Sequence, residues 1–307
     1  MADDSKTSAM PGSKKADSSP DSQAPARRPV TIRSLKRMVD ASEPFACLTA
    51  YDALTASLLQ KAGVPVLLVG DTAAEVILGL PSTIHAPLDF MITLTAAVKR
   101  GAPDCWVIGD MPFMSYQISD EQGVQNAGRF LVEGQADAVK LEVDLSYVSL
   151  VGRMARAGIP VIAHMGSKPQ HSSRHGGYYS DGRTAEDALR LIEEAVAFED
   201  AGASMLLIEA VPEVVARRVI DSVSIPVIGC GAGNSCHGQI VVTQDLTGMT
   251  EWQPPFAQPI APLAESLHEV ASHWIDRVSR RAHGEHPYRM RSGEMERLDR
   301  HQDESDR

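Results

Sequence analysis

The feature that most constrains the fold of this chain is a recurring unit: a short apolar run, then a polar or glycine-rich turn, then an amphipathic helix. The run VLLV at 66–69 shows no apolar–polar alternation, which is typical of a strand covered on both faces. Apolar residues at helical spacing fill 184–202, where Gly202 is expected to end the helix. The apolar runs lie at 45–52, 66–71, 106–111, 138–142, 160–166, 205–212, 226–233 and, less clearly, 239–245.

Alternating strands and helices predict a parallel sheet, and the seven or eight units favour a closed (β/α)8 barrel, the TIM-barrel architecture. A doubly wound open sheet is the alternative. That fold usually carries a phosphate-binding glycine loop after its first strand. In this chain the glycine-rich turn, GCGAG at 229–233, follows the seventh apolar run instead. We therefore predict an α/β fold with a single (β/α)8 barrel domain at 29–283.

The two ends of the chain lack this pattern. Residues 1–28 are mostly Ser, Ala, Asp, Lys and Pro, and residues 284–307 are dense in charge without an apolar period. Both segments are therefore predicted to be disordered tails outside the fold. Acidic residues such as Asp3 and Asp4 argue against a mitochondrial transit peptide in the first tail.

Composition argues against several classes of partner. The 307 residues carry a formal net charge of −11 at pH 7, which opposes nucleic-acid binding because phosphate contacts need concentrated Lys and Arg. No secretory signal is recognised, and no apolar run is long enough to span a membrane. The four cysteines include no C-x-x-C pair. We expect a cytoplasmic protein with no nucleic-acid or membrane partner.

Polar side chains stand at the carboxyl ends of the predicted strands, where barrel enzymes carry their chemistry. They are Asp71, Thr72, Asp110, Lys140, Glu142, His164 and Glu209. Each one alone has an ordinary structural explanation, such as a helix cap, an ion pair or a core histidine. Together, however, the carboxylates would repel one another unless a positive charge lay among them, and all-oxygen ligation suits Mg²⁺. The set predicts a metal-dependent enzyme that forms a carbanion next to a carbonyl group of a small substrate.

Two other motifs are weaker candidates. His171 and His175 are four residues apart and could share a metal on a helix, but Pro169 and the glycines at 176–177 favour a mobile loop. The turn at 229–233 could cradle a phosphate, although short glycine turns also arise for packing alone.

Ten phrases of the sequence, in order from about residue 31 to residue 249, resemble ketopantoate hydroxymethyltransferases. The phrases are TAYD (49–52), LLVGDT (67–72), AVKRGAP (97–103), GDMPFMSY (109–116), VKLE (139–142), HMG (164–166), GGY (176–178), IEAVP (208–212), IPVIGCGAG (225–233) and HGQIVV (237–242). The resemblance implies a barrel of the phosphoenolpyruvate/pyruvate superfamily, assembled into a homo-oligomer that in this family is often a decamer.

The resemblance also implies the reaction. The substrate 3-methyl-2-oxobutanoate would chelate Mg²⁺, and its enolate would attack the methylene of 5,10-methylenetetrahydrofolate to give 2-dehydropantoate and tetrahydrofolate. Asp71 and Asp110 match the family's metal ligands beside the substrate, and Glu142 matches a third acidic position at the metal. These are roles implied by the family, not by spacing.

The remaining matches concern the substrate. Thr72 stands where the family usually has Ser and keeps the hydroxyl that meets the substrate. Lys140 and His164 match the residues that hold the substrate's carboxylate end. Glu209 matches the base that removes the C3 proton.

The chain departs from the family pattern in four segments near the barrel mouth, at Leu80–Pro81, Val143–Asp144, Ser167–Lys168 and Tyr179–Asp181. Asp144 is expected to add negative charge near the metal. Three interpretations stay open. The hydroxymethyltransferase is favoured, and a C–C lyase or related enzyme acting on another 2-oxo acid is the second. A non-catalytic binding paralogue is the least favoured, because all the implied site residues are present.

Overall fold

Eight parallel strands close into a barrel in the computed structural model, which describes residues 28–177, 179–284 and 286–305. Each strand is hydrogen-bonded to the next along the chain, and the last strand returns to the first. The strands are β1 (Phe45–Thr49), β2 (Val66–Val69), β3 (Trp106–Asp110), β4 (Ala138–Glu142), β5 (Val161–Gly166), β6 (Met205–Glu209), β7 (Val227–Cys230) and β8 (Gly238–Val241). This confirms the predicted (β/α)8 barrel and rules out the doubly wound sheet, whose terminal strands do not pair.

Helices connect the strands. They are α1 (Ile32–Asp40), α2 (Ala53–Ala62), α3 (Ala73–Val76), α4 (Leu88–Gly101), α5 (Asp120–Val132), α6 (Val148–Arg156), α7 (Ser172–His175), α8 (Ala185–Ala201), α9 (Glu213–Ser222), α10 (Thr243–Leu246), α11 (Leu263–Ser279) and α12 (Glu294–Ser305). Three short 3₁₀ helices add Thr83–His85, Leu145–Tyr147 and Pro169–His171. The predicted helix at 184–202 is α8, which Thr184 caps through the N–H of Asp187 and Gly202 ends with φ of 100°.

The interior of the barrel is filled by side chains. Residues that point inward from alternate strand positions, such as Val66, Ile108 and Ile162, form one buried cluster. Leu35 of α1 joins this cluster, so α1 closes the amino-terminal end of the barrel. A second and larger cluster lies between the strands and the surrounding helices. The carboxyl ends of the strands are therefore the polar opening of the barrel.

The segment from Pro169 to His175 differs from its prediction. It was expected to be a mobile loop, but the structure shows a 3₁₀ helix followed directly by α7. Pro169 stands in the first turn, where its missing N–H costs nothing, and Gly176 ends α7 with φ of 73°. The residues that were interpreted as helix breakers thus act as the start and the stop of a short helical segment.

The last helices of the chain stand away from the barrel. The helix that follows β8, α10, is a single turn, and α11 has no buried residue. The predicted charged tail carries α12, whose described residues are almost all exposed. The predicted N-terminal tail lies outside the described residues apart from Arg28. No helix in the described part of the chain combines the length and the apolar character needed to cross a membrane.

Candidate active site

The alternation of each strand carries the site residues into the barrel mouth. On β3, Ile108 fills the interior and Asp110 follows two positions later, and on β6 Leu207 is followed in the same way by Glu209. One cleft is lined by Asp71, Thr72, Asp110, Lys140, Glu142, His164 and Glu209. The structure therefore brings together all seven residues that the sequence singled out, and we call them the rim cluster.

Asp71, Asp110 and Lys140 form a buried group on one side of the cleft. The backbone N–H of Asp71 donates to Asp110 Oδ2 at 2.9 Å, and Lys140 Nζ lies 2.9 Å from Asp110 Oδ1. Burial raises the pKa of Asp110, and the charge of Lys140 opposes this effect. Burial also works against the Lys140 ammonium, but the carboxylates of Asp110, Asp71 and Glu142 outweigh it and raise its pKa. Lys140 is therefore the charged centre of an acidic pocket.

His164 links Lys140 to Glu209. Its Nδ1 lies 3.2 Å from Lys140 Nζ, and its Nε2 lies 3.4 Å from Glu209 Oε2. Burial, together with the charges of Lys140 and Lys168, holds the pKa of His164 well below its usual range. The imidazole is therefore neutral, and because an ammonium only donates, Nδ1 accepts and Nε2 carries the proton. This proton faces the Glu209 carboxylate.

Glu209 is the most accessible acid of the rim cluster. Its side chain is 19% exposed, whereas that of Asp110 is 1% exposed. Burial raises the pKa of Glu209 to about 7, while Lys140 and a hydrogen bond with Cys230 act in the lowering direction. Cys230 is its neighbour across β6 and β7. A carboxylate with a pKa near neutrality at the mouth of a cleft suits a general base.

Glu142 is sealed beneath the cleft surface. Its Oε2 accepts a hydrogen bond of 3.0 Å from the backbone N–H of Gln170, whereas Oε1 has no hydrogen-bond partner and lies 3.9 Å from His164 Nδ1. Burial raises its pKa strongly, and Lys140 lowers it by a smaller amount. An oxygen that is buried without a partner is unusual in a folded protein and needs an explanation.

Thr72 follows Asp71 in the turn that begins α3. It occupies the cap position of α3, but its side chain makes no capping hydrogen bond. Its place on the cleft wall therefore does not serve the helix end.

Gln170 is a site residue that the sequence interpretation missed. Its side chain is buried, and its Nε2 donates to Asp71 Oδ2 at 2.9 Å. Gln170 lies two residues beyond the departing segment Ser167–Lys168, and nothing local in the sequence marks it as a partner of Asp71. The contact joins residues that are 99 positions apart.

Two of the segments that depart from the family pattern show where their side chains go. Asp144 is not among the residues that line the cleft, and its Oδ1 accepts from the N–H of Ser146 at 3.0 Å and caps the 3₁₀ helix Leu145–Tyr147. Lys168 is buried, and its ammonium donates to the carbonyl oxygen of Val143 at 3.2 Å. Two of the departing segments therefore contact each other.

The donor set of the rim cluster fits a hard divalent cation. Among the described residues, no three His, Cys, Asp or Glu side chains form a ready-made metal site. Asp71, Asp110 and Glu142 nevertheless bring three buried carboxylates to one cleft with Lys140 as the ammonium among them. Glu142 Oε1 has no hydrogen bond, and Asp110 Oδ1 has only its ion pair with Lys140. All-oxygen ligands of this kind suit Mg²⁺.

Solved structures confirm the fold. A 2,3-dimethylmalate lyase of the PEP mutase/isocitrate lyase superfamily superposes with a TM-score of 0.52 at 19% identity, over 89% of this chain and 95% of the lyase. A phosphonopyruvate hydrolase in complex with oxalate and Mg²⁺ gives a TM-score of 0.55 at 12% identity, over 81% and 87% of the two chains. At these identities the likeness concerns the barrel alone.

Sequence relatives are much nearer. The family model for ketopantoate hydroxymethyltransferase matches residues 29–286. The 3-methyl-2-oxobutanoate hydroxymethyltransferase of Hyperthermus butylicus is 43% identical over 276 residues, which cover 89% of this chain and 96% of that protein. The enzyme of the same name from Syntrophus aciditrophicus is 41% identical over 252 residues, which cover 82% and 93%. This chain, an enzyme by these matches, belongs to the ketopantoate hydroxymethyltransferase family.

Proposed function

We propose that this hydroxymethyltransferase uses Glu209 to remove the C3 proton of 3-methyl-2-oxobutanoate. The enolate then attacks the one-carbon unit of 5,10-methylenetetrahydrofolate. The hydroxymethyl transfer itself follows from the family, whose members carry it in their name. The donor, the metal and the role of each residue are our proposals. The observation that carries them is the convergence of the rim cluster on one cleft.

Asp71, Asp110 and Glu142 are the residues that would hold Mg²⁺. When bound there, Mg²⁺ would supply positive charge to the carboxylate and keto oxygens of the substrate. The arrangement of the three acids supports this proposal, because two of them are sealed and all three face a single Lys140. Burial raises the pKa of Asp110 and of Glu142, and a divalent cation beside them would favour their charged forms.

Lys140 and His164 are suited to hold the anionic end of the substrate. The Lys140 ammonium is charged, and the His164 imidazole is neutral and donates only from Nε2. Thr72 lines the same cleft and can offer its hydroxyl to the substrate, since that hydroxyl does not cap α3. Donors fixed in a buried cleft need no reorganisation when the substrate becomes an enolate.

Glu209 acts as the base. In its ionised form it takes the C3 proton, and the electron pair of the C–H bond moves into the enolate. A new C–C bond then forms to the methylene carbon, and both bonds from that carbon to the folate nitrogens break. The oxygen of one water becomes the hydroxyl group of the product, and the C3 proton and one proton of the water end on the two folate nitrogens. The partial exposure of Glu209 and its pKa of about 7 support this role.

The test is exchange of the C3 proton of 3-methyl-2-oxobutanoate in D₂O, followed by NMR without folate. Wild-type protein with Mg²⁺ should exchange, and Glu209→Gln should be slower by about 10²–10⁴-fold. Removal of the metal by a chelator should also abolish exchange. Glu193→Gln on the exposed face of α8 is the matched control and should exchange like the wild type. No exchange by folded wild-type protein would contradict the proposal and favour the lyase or binding-protein alternative.

We also propose that the chain assembles into a homo-oligomer, often a decamer by family resemblance. One face of α11 supports this, because its apolar side chains are exposed. They are Leu263, Leu267, Val270, Trp274 and Val278. A stripe at this spacing is typical of a helix that packs against another protein surface. A cytoplasmic location stays a prediction, and the four cysteines, all free thiols, accord with it.

A further inference from the structure

Gln170 is the most extensively hydrogen-bonded side chain at the barrel mouth. It lies in the 3₁₀ helix between β5 and α7 and is 3% exposed. Its amide Nε2 donates to Asp71 Oδ2 at 2.9 Å and to the carbonyl oxygen of Met111 at 3.1 Å. Its Oε1 lies 3.0 Å from the hydroxyl of Tyr116 and accepts from Gln117 Nε2 at 3.2 Å.

These partners fix the orientation of the amide. Both neighbours of Nε2, Asp71 Oδ2 and the Met111 carbonyl oxygen, can only accept, so a flipped amide would place its oxygen against them and lose both contacts. A buried glutamine that satisfies all its side-chain hydrogen bonds is rigid. Asp71 Oδ2 is therefore held by a donor that cannot turn away.

The backbone of the same residue holds a second acid. The N–H of Gln170 donates to Glu142 Oε2 at 3.0 Å. Tyr116 strengthens this link, since its hydroxyl accepts from the backbone N–H of Glu142 at 3.1 Å. One residue thus occupies one oxygen of Asp71 and one oxygen of Glu142, and the other oxygen of Glu142 keeps no hydrogen bond.

The turn that carries Gln170 is fastened on both sides. The ammonium of Lys168 donates to the Val143 carbonyl just beyond β4, at 3.2 Å. The N–H of Ser167 donates to the carbonyl oxygen of Glu209, at the end of β6, at 2.9 Å. Gln170 is therefore not on a free loop, and its position is set by the strands on either side of β5.

We propose that Gln170 is a positioning residue that orients the carboxylates of Asp71 and Glu142 for the divalent cation. This inference rests on the proposed metal site. Residues that hydrogen-bond metal ligands typically change metal affinity or activity by about 10–100-fold when they are replaced. Gln170 reaches two of the three proposed ligands at once.

The test measures Mn²⁺, a paramagnetic ion that prefers the same oxygen ligands as Mg²⁺. Free Mn²⁺ is followed by electron paramagnetic resonance during titration of the full-length protein without substrate. Gln170→Met keeps the length of the side chain and removes both its donor and its acceptor. We expect it to bind Mn²⁺ about 10–100-fold more weakly than the wild type.

The matched control is Gln60→Met. Gln60 lies on α2, and its Oε1 accepts from the N–H of Asp104 at 2.9 Å at the amino-terminal end of the barrel. This variant loses a glutamine hydrogen bond far from the cleft and should bind Mn²⁺ like the wild type. Should Gln170→Met fail to fold, Gln170→Asn keeps an amide that is too short to reach Asp71, and it should show the same loss of affinity.

The outcomes separate the two proposals. Weaker binding by the Gln170 variants alone supports the positioning role. Wild-type affinity in folded Gln170 variants would overturn that role and leave the metal site intact. Equal loss in Gln60→Met would also overturn it, since the effect would then be one of general stability. A wild-type protein that binds no Mn²⁺ would overturn the metal site itself, and the positioning role with it.

Discussion

Glu209 differs from the other acids of the rim cluster in its access to the cleft. Its side chain is 19% exposed, whereas those of Asp110 and Glu142 are sealed at 1% and 0%. A group that takes a proton from substrate must be reached, while groups that hold a cation need a fixed geometry. Burial of the rest of its side chain raises the pKa of Glu209 to about 7. One environment thus sets both the accessibility and the basicity of this residue.

The pH dependence of C3 exchange follows from this pKa. Only ionised Glu209 can accept the proton, so the exchange rate should rise about tenfold per pH unit below 7 and level off above it. The measurement is the NMR exchange rate between pH 5 and pH 9 with saturating Mg²⁺. A rate that does not change between pH 5 and pH 8 would contradict the assignment of Glu209 as the base.

The same pKa predicts an effect on stability. The native state favours protonated Glu209, whereas an unfolded glutamate ionises near pH 4.3. Between about pH 4.3 and pH 7 the native state therefore binds more protons, and its free energy of unfolding falls as the pH rises. Glu209→Gln removes this cost, so the variant should melt a few degrees higher than the wild type at pH 8. The two proteins should differ less at pH 4, which differential scanning calorimetry can measure.

At the scale of elements, the sequence predicted what local pattern encodes. The run AVKLE at 138–142 coincides with β4, and position at the carboxyl ends of the predicted strands singled out every member of the rim cluster. The other predicted apolar runs are longer than the observed strands, because residues such as Asp71 follow the strand without pairing with the neighbouring strand. Gln170 was missed because its partners follow other strands and lie up to 99 residues away. The short helices at 169–175 were missed because proline and glycine can begin and end a helical turn as well as break one.

The end of β5 supports an element-scale prediction. Gly166 has φ of 86°, and a Cβ atom there would lie 2.4 Å from the carbonyl oxygen of Glu209. Gly166→Ala should therefore push the end of β6 away and lower kcat more than it changes KM. Its free energy of unfolding should fall by more than the roughly 1–2 kcal/mol expected from left-handed backbone strain alone. The measurements are steady-state kinetics and denaturant unfolding.

Gly158→Ala is the control for backbone strain. Gly158 has a similar φ of 81°, but nothing lies within 4 Å of its added Cβ atom. Gly158→Ala should lower the free energy of unfolding by the backbone strain alone and should keep the kcat of the wild type. If both variants behave alike, the contact between Gly166 and Glu209 has no role in catalysis.

At the scale of the whole molecule, the barrel is closed and α11 stands apart from it. The helix has no buried residue, although Trp274 and Leu267 are large and apolar. Exposed apolar side chains at successive helical turns cost solubility unless another surface covers them. We therefore expect the arrangement of α11 in solution to depend on a neighbouring copy of the chain.

A charge on the apolar face of α11 should weaken assembly. The double variant Leu267→Glu and Trp274→Glu should lower the mass of the particle, measured by analytical ultracentrifugation. Ser272→Glu places the same charge on the opposite side of α11 and should leave the mass unchanged. A mass that is equal in all three proteins would show that this face is not part of an interface.

The pairing of β8 with β1 also has a consequence for how the protein is made. The rim cluster draws on β2 to β6, but the barrel closes only when Gly238–Val241 pairs with Phe45–Thr49. Those strands lie nearly two hundred residues apart in the sequence. Near their carboxyl ends, the hydrogen bond between Thr243 and Thr49 spans a separation of 194 residues. A ribosome must therefore release almost the entire barrel before the first strand finds its last neighbour. Until then the nascent chain exposes two unpaired strand edges, which makes the end of synthesis the moment of greatest exposure to aggregation.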